Sequence, residues 1–164
     1  VPVFGKGLDD EIVSTAGRLA DSDPLPGESR PRLEFLYVID LPLTVPLARQ
    51  PPPDRVARAD AVLARALEVA EEYPSVESHG SWVPARDVGE AIVRQARERQ
   101  VEAIIIGGEP PTRIRGGAVL GGVRGSRPSE VGPITEYVLR NAPCRVLLTA
   151  PPEDSPKAPE PEPA

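Results

Sequence analysis

Ala103-Ile104-Ile105-Ile106-Gly107-Gly108 opens the stretch from Val101 to Thr149 whose reading decides the fold. The isoleucine run is too short for a helix and rich in β-branched residues, so it predicts a strand buried on both faces. Gly107-Gly108 ends it, and a long glycine-rich loop follows, from Glu109-Pro110-Pro111-Thr112-Arg113-Ile114-Arg115 to Val131. This loop carries Arg113, Arg115, Arg124 and Arg127 against only Glu109 and Glu130. Gly132-Pro133-Ile134-Thr135-Glu136-Tyr137 then starts a helix, with Pro133 at the first helical position, where a missing N–H costs nothing. Arg145-Val146-Leu147-Leu148-Thr149 closes the unit as a second strand. A glycine-ended strand, a basic loop and a helix N-terminus together favour an anion, through unpaired backbone N–H groups and the helix dipole.

Working outward, Val1-Pro2-Val3-Phe4 reads as the end of a first strand and Gly5-Lys6-Gly7 as its turn. Leu8, Ile12, Ala16 and Leu19 recur as one apolar helical face, preceded by Asp9, Asp10 and Glu11, where a helix N-terminus favours negative charge. Leu33-Glu34-Phe35-Leu36-Tyr37-Val38-Ile39 is the clearest strand of the first half. The proline-rich segment from Asp40 to Pro53 belongs on the surface. Asp54 to Glu72 is strongly periodic, with Val56, Ala59, Leu63, Leu67 and Ala70 on one side, and Pro74 ends it. Val76 to Val83 is a strand interrupted by Gly80. Asp87 followed by Glu90 resembles a capping box, opening a helix that runs to about Gln100. Such alternation predicts an α/β, doubly wound, five-stranded parallel sheet with helices on both faces. The expected organisation is one domain over residues 1–150 and a disordered acidic, Pro-rich tail over 151–164.

A chain of 164 residues suffices for one sizeable core. Net charge is −6, and half of it sits in the tail, so the total argues neither for nor against a polyanionic partner. Cys144 is the only cysteine, which excludes an intrachain disulfide and fits a reducing compartment. No apolar run reaches membrane-spanning length. Methionine is absent even at position 1, which predicts an excised or processed piece of a longer protein.

The run Gly132-Pro133-Ile134-Thr135-Glu136-Tyr137-Val138-Leu139-Arg140-Asn141-Ala142-Pro143-Cys144-Arg145-Val146-Leu147-Leu148 resembles the C-terminal signature of the universal stress protein (UspA-like) family. Val1-Pro2-Val3 followed by Gly5 resembles that family's first strand and turn. The resemblance implies a Rossmann-like, adenine nucleotide alpha hydrolase-like sheet with the first and fourth strands adjacent, and a ligand crevice between Gly5 and Gly107. It further implies a regulatory domain binding an adenine nucleotide, either ATP/AMP or cyclic di-AMP. Nucleotide-binding members carry a G-x2-G-x9-G-[ST] pattern there. Gly107, beside Gly108, stands at the first glycine and Gly132 at the later one. Thr135, after Ile134, supplies a hydroxyl, and Pro2 matches the apolar residue beside the adenine. Three departures stand out: Phe4 in place of an aspartate, Pro133 in place of Ser or Thr, and a much longer span between the glycines.

Asp40, at the end of its strand, is placed to touch a ribose or simply to form the turn. The arginines have two readings: a phosphate clamp, since guanidinium binds phosphate as a fork, or a solvated loop. His79 reads as a surface residue, Cys144 as a small buried hydrophobe and Trp82 as packing. Gly5-Lys6-Gly7 lacks the ending of a Walker A loop. No catalytic set or metal-ligand spacing emerges, so no enzyme is expected. Family members commonly dimerise through the last strand, which implies a homodimer through Arg145 to Thr149 and an alternative role as a dimerisation scaffold with a vestigial pocket. The opening residues Val1 to Gly5 with Leu8-Asp9-Asp10, together with Gly107-Gly108-Glu109-Pro110-Pro111 and Gly132 to Tyr137, resemble the C-terminal domains of bacterial amino-acid permeases. That implies a cytoplasmic domain tethered beneath the membrane by a transporter, with no nucleic-acid partner.

Overall fold

Alternate side chains of one strand enter two different cores, and this places helices on both faces of the sheet. In the computed structural model, which describes residues 1–22, 30–46, 50–108 and 131–149, that strand is β1 (Arg32–Asp40). Leu33 and Phe35 pack with Ile12, Val13 and Ala16 of α1 (Asp9–Ser22) and with Leu63, Ala66 and Val69 of α2 (Pro53–Ala70). Leu36 points the other way, toward Ile92, Val93 and Ala96 of α3 (Val88–Glu98) and Val138 of α4 (Pro133–Asn141). β3 (Ala103–Gly107) repeats the alternation, with Ile105 in the first cluster and Ile104 and Ile106 in the second. The period of two along each strand produces this division, and each large side chain so buried stabilises the fold by about 1.5–3 kcal/mol.

The strands pair in parallel. β1 lies against β2 (Glu77–Ala85), from Arg32 opposite Glu77 to Asp40 opposite Ala85. β3 lies against β4 (Arg145–Thr149), from Ala103 opposite Arg145 to Gly107 opposite Thr149. The order of strands and helices follows the expected doubly wound, parallel α/β arrangement, here seen in the described strands. They form two two-stranded ladders, and the opening segment joins β1 by a single bridge, Pro2 to Leu36. The Val3 N–H donates to the Leu36 carbonyl and the Leu36 N–H to the Val1 carbonyl, both at 3.0 Å. Pro2, between them, turns its backbone to the opposite side and has no N–H to offer there. Val3 and Ile105 nevertheless share one cluster, which ties the segment to β3 through side chains.

Helix ends follow local chemistry. Asp87 Oδ1 accepts from the Glu90 N–H at 2.8 Å, the N-cap anticipated from the spacing. Gln100 at φ 51 takes the left-handed conformation that stops α3, and the Val101 N–H closes the end on the Ala96 carbonyl at 3.1 Å. The apolar face expected of α1 shifts: Ile12, Val13, Ala16 and Gly17 are buried, while Leu19 is 44% exposed. The cause is Gly17, which admits the Tyr73 ring so closely that a Cβ there would stand 2.2 Å from it. α1 therefore leans on the end of α2 along the Val13–Gly17 line rather than along Leu19.

Candidate functional site

Three of the expected residues meet at the end of β3. Gly107 is buried there, and the Thr135 hydroxyl donates to its carbonyl oxygen at 3.1 Å. On another side a Cβ on Gly107 would stand 2.5 Å from Ile12 Cδ1. Glycine at this position thus lets α1 close on the strand, while Thr135, itself only 1% exposed, fastens α4 to it. The Gly108 N–H donates to the Thr149 carbonyl at 2.9 Å and extends the β3–β4 ladder. Its amide, like the Thr135 hydroxyl, has an internal partner.

Gly132 caps α4 at φ 85 and ψ 153, a conformation suited to glycine, and as the cap residue it brings no side chain of its own. Pro133 occupies the first turn as expected, which leaves the amides of the following residues as the helix's N-terminal donors. Ile134 is half-buried against the Leu36–Ile106 core rather than presented to solvent.

The remaining expected residues sit apart from this group. Pro2 is buried in its bridge to Leu36. Asp40 is exposed at the end of β1, and its carbonyl accepts from the Arg55 guanidinium, which pins the strand end to α2. Gly5 is exposed at φ 71 beside α2, and a Cβ there would meet Val62 Cγ2 at 2.9 Å. Arg113, Arg115, Arg124 and Arg127 lie outside the described residues, as does the tail. A cavity of about 270 Å³ opens between the end of β2 and the start of α3, lined by Pro84, Ala85, Arg86, Asp87, Glu90 and Arg94. It contains none of the expected residues, and its acidic and basic side chains are exposed to solvent.

Asp9, which the sequence presents as one of three acids at a helix N-terminus, turns back onto the segment before that helix. Its carboxylate accepts from the N–H groups of Phe4 at 2.9 Å, Gly5 at 2.6 Å and Lys6 at 3.3 Å, and it is 8% exposed. Burial pushes its pKa upward, the three amide bonds pull it down and neighbouring Asp10 adds to the rise. Phe4, on the same turn, packs toward the Leu36–Ile106 core, with the Lys6 ammonium 5.8 Å from its ring centroid. The signal in the sequence is a carboxylate placed just after a glycine-flanked turn, which fits a helix-dipole reading equally well.

Parallel strands with helices on both faces, and a helix starting against a glycine-ended strand, define a doubly wound α/β domain. The universal stress protein family model matches residues 15–150, and the chain belongs to that family. A universal stress protein in complex with cAMP superimposes with a TM-score of 0.63 at 18% identity, over 92% of this chain and 93% of that one. The universal stress protein from Archaeoglobus fulgidus gives 0.63 at 14% identity, over 90% and 88%. A family member from Burkholderia pseudomallei gives 0.58 at 21%, over 91% and 92%. At these identities the likeness concerns the fold alone. No curated protein sequence matches the chain.

Proposed function

We propose that this domain is a regulatory, non-catalytic module that binds an adenine nucleotide at the end of β3. The observation that carries this reading is the start of α4, where Thr135 is fastened to Gly107 so that the helix start is held against the strand end. Such a terminus attracts a phosphate through its amides and dipole. A relative with the same fold is in complex with cAMP, which makes a cyclic nucleotide a candidate beside ATP, AMP and cyclic di-AMP. The sequence adds Arg113, Arg115, Arg124 and Arg127 between the same two glycines. Titration calorimetry with these four nucleotides tests the reading, and saturable binding by one of them is the expected result. Replacing the four arginines by glutamine should then weaken binding by about 1.5–3 kcal/mol for each charge-assisted hydrogen bond removed. No heat and no amide shifts with any nucleotide at millimolar concentration, on the order of the weakest specific affinities, would reject it.

The second reading is a homodimer through β4, in which the domain acts as a scaffold. Leu147 and Leu148 are 40% and 41% exposed on a strand that pairs only with β3 among the described residues, which favours pairing with a second copy. Both readings suit a domain attached to a larger chain. None of the described helices is long and apolar enough to cross a membrane. The permease context, with the domain on the cytoplasmic side, therefore rests on sequence resemblance. It is tested by the full-length coding sequence, which should encode repeated apolar segments of roughly 20 residues upstream.

A further inference from the structure

Three consecutive amides converging on one buried oxygen form an anion nest. In this chain the nest is the turn after the first strand segment, shaped by Gly5 at φ 71, and the oxygen belongs to Asp9. The shortest bond, from the Gly5 N–H, is 2.6 Å, and a charged acceptor shortens the bonds it receives. The Phe4 N–H reaches both carboxylate oxygens, at 2.9 and 3.2 Å. Asp9 is one of two buried polar residues among those described, and the other, Thr135, also serves an internal contact at the same sheet end. Two cations lie close to the turn: an Arg58 guanidinium nitrogen is 3.9 Å from where a Gly5 Cβ would stand, and the Lys6 ammonium lies over Phe4.

We propose that the Phe4–Lys6 turn is an anion-binding nest that the chain's own Asp9 carboxylate keeps occupied, so that Asp9 excludes a ligand's phosphate from this turn and directs it to the start of α4. The inference rests on the reading of that helix start as the nucleotide site, but it makes a separate claim about a separate set of amides. Asp9 acts here as a specificity-determining residue without touching the ligand. A carboxylate held by its own backbone competes at very high effective concentration, because no translational freedom is lost when it binds. A free phosphate would have to displace it and leave a buried charge unpartnered.

Inorganic phosphate is the probe, added to ¹⁵N-labelled protein at constant pH and ionic strength while amide shifts are followed. In the wild-type chain the amides of Phe4, Gly5 and Lys6 should show no saturable shift. In Asp9→Ala the same amides should shift saturably, with an apparent affinity at least about tenfold above any wild-type response, that is about 1.4 kcal/mol or more. Asp9→Asn, which keeps an acceptor in the nest, should stay silent. If Asp9→Ala does not fold, Asp9→Ser, which keeps a helix-capping hydroxyl but vacates most of the nest, carries the same test. Saturable shifts at Phe4–Lys6 in the wild type, or a folded Asp9→Ala or Asp9→Ser whose nest ignores phosphate, would overturn the proposal. The nucleotide reading is judged separately, by the amides of Ile134 and Thr135 under nucleotide.

Discussion

Two turns stand at the carboxyl ends of these strands, and they are built differently. The turn after the opening segment directs the Phe4, Gly5 and Lys6 N–H groups onto Asp9. The start of α4 has a glycine cap, which brings no side chain of its own, and the Gly132 carbonyl accepts from the Glu136 N–H at 2.9 Å. The two sheet edges repeat the contrast. β2 carries exposed Glu77 and His79, paired at 2.7 Å, with Gly80 and Pro84 further along, and each of these features discourages edge pairing. β4 carries Val146, Leu147 and Leu148, with neither charge nor proline among them. The first turn and the β2 edge carry groups that complete or block their own interactions, whereas the α4 start and the β4 edge are where the proposed ligand and the proposed second copy would bind.

The largest effect that separates the sides is in stability. Phe35 is fully buried between β1 and the α1–α2 layer, so Phe35→Ala should cost about 3–5 kcal/mol in urea unfolding. Leu148→Ala, measured at high dilution, should stay within about 0.5 kcal/mol, as surface changes do. Comparable losses from the two would show that the β4 edge is built into the folded monomer, and the contrast would fail.

Next in size is assembly. The wild-type domain should sediment as a dimer at tens of micromolar, an order-of-magnitude choice above typical stable dimer constants. The double change Leu147→Lys and Leu148→Lys should raise the dissociation constant on the order of 100-fold, equivalent to about 2.8 kcal/mol. Lysines on an edge strand repel and shield it. A monomeric wild type, or a dimer indifferent to both lysines, would assign the exposed leucines to something else.

Asp9→Ala comes third, with an expected loss of about 1–3 kcal/mol, because it leaves the Phe4–Lys6 amides without their acceptor. A domain of ordinary stability tolerates this. Thermal unfolding measures it directly, and a neutral outcome would mean that the nest contributes nothing to holding α1 against the sheet.

These contrasts mark where the sequence is readable. The isoleucine run of β3, Pro133 at the start of α4 and the Asp87 cap each follow from a strong local signal, and β4 runs from Arg145 to Thr149 as its pattern indicates. Thr135 and Gly107 both stand out in the sequence as site residues, but their mutual hydrogen bond depends on how α4 meets β3, which no local pattern encodes. That the opening segment joins β1 through one bridge, with Pro2 turned away from Leu36, becomes visible only once Val1 and Val3 are bonded to Leu36. Asp9 escapes a sequence reading because a helix N-terminus welcomes acid whether it faces water or its own backbone. A one-dimensional pattern records that the residue is acidic and not which way it turns.

The smallest effect is also the most specific to this geometry, and it concerns pH. Burial holds the Asp9 carboxyl above its ordinary pKa of 3.8, even though three amides favour its ionised form. A carboxyl raised on folding binds more protons in the native state than in the unfolded one between the two pKa values. Its contribution to stability is therefore fully present below 3.8 and declines as pH rises through the window above that value. Glu77 runs the opposite way: its bond to His79 lowers its pKa, so its contribution is lost on acidification through the range below its ordinary 4.5. The difference between wild type and Asp9→Asn isolates the Asp9 term, because both proteins share Glu77 and every other group. As pH falls from neutral toward 4, roughly the ordinary carboxyl range, the wild type should gain unfolding free energy relative to Asp9→Asn. A difference that stays flat over that interval, or grows in the other direction, would mean that the amides outweigh burial and that the nest holds its carboxylate without cost.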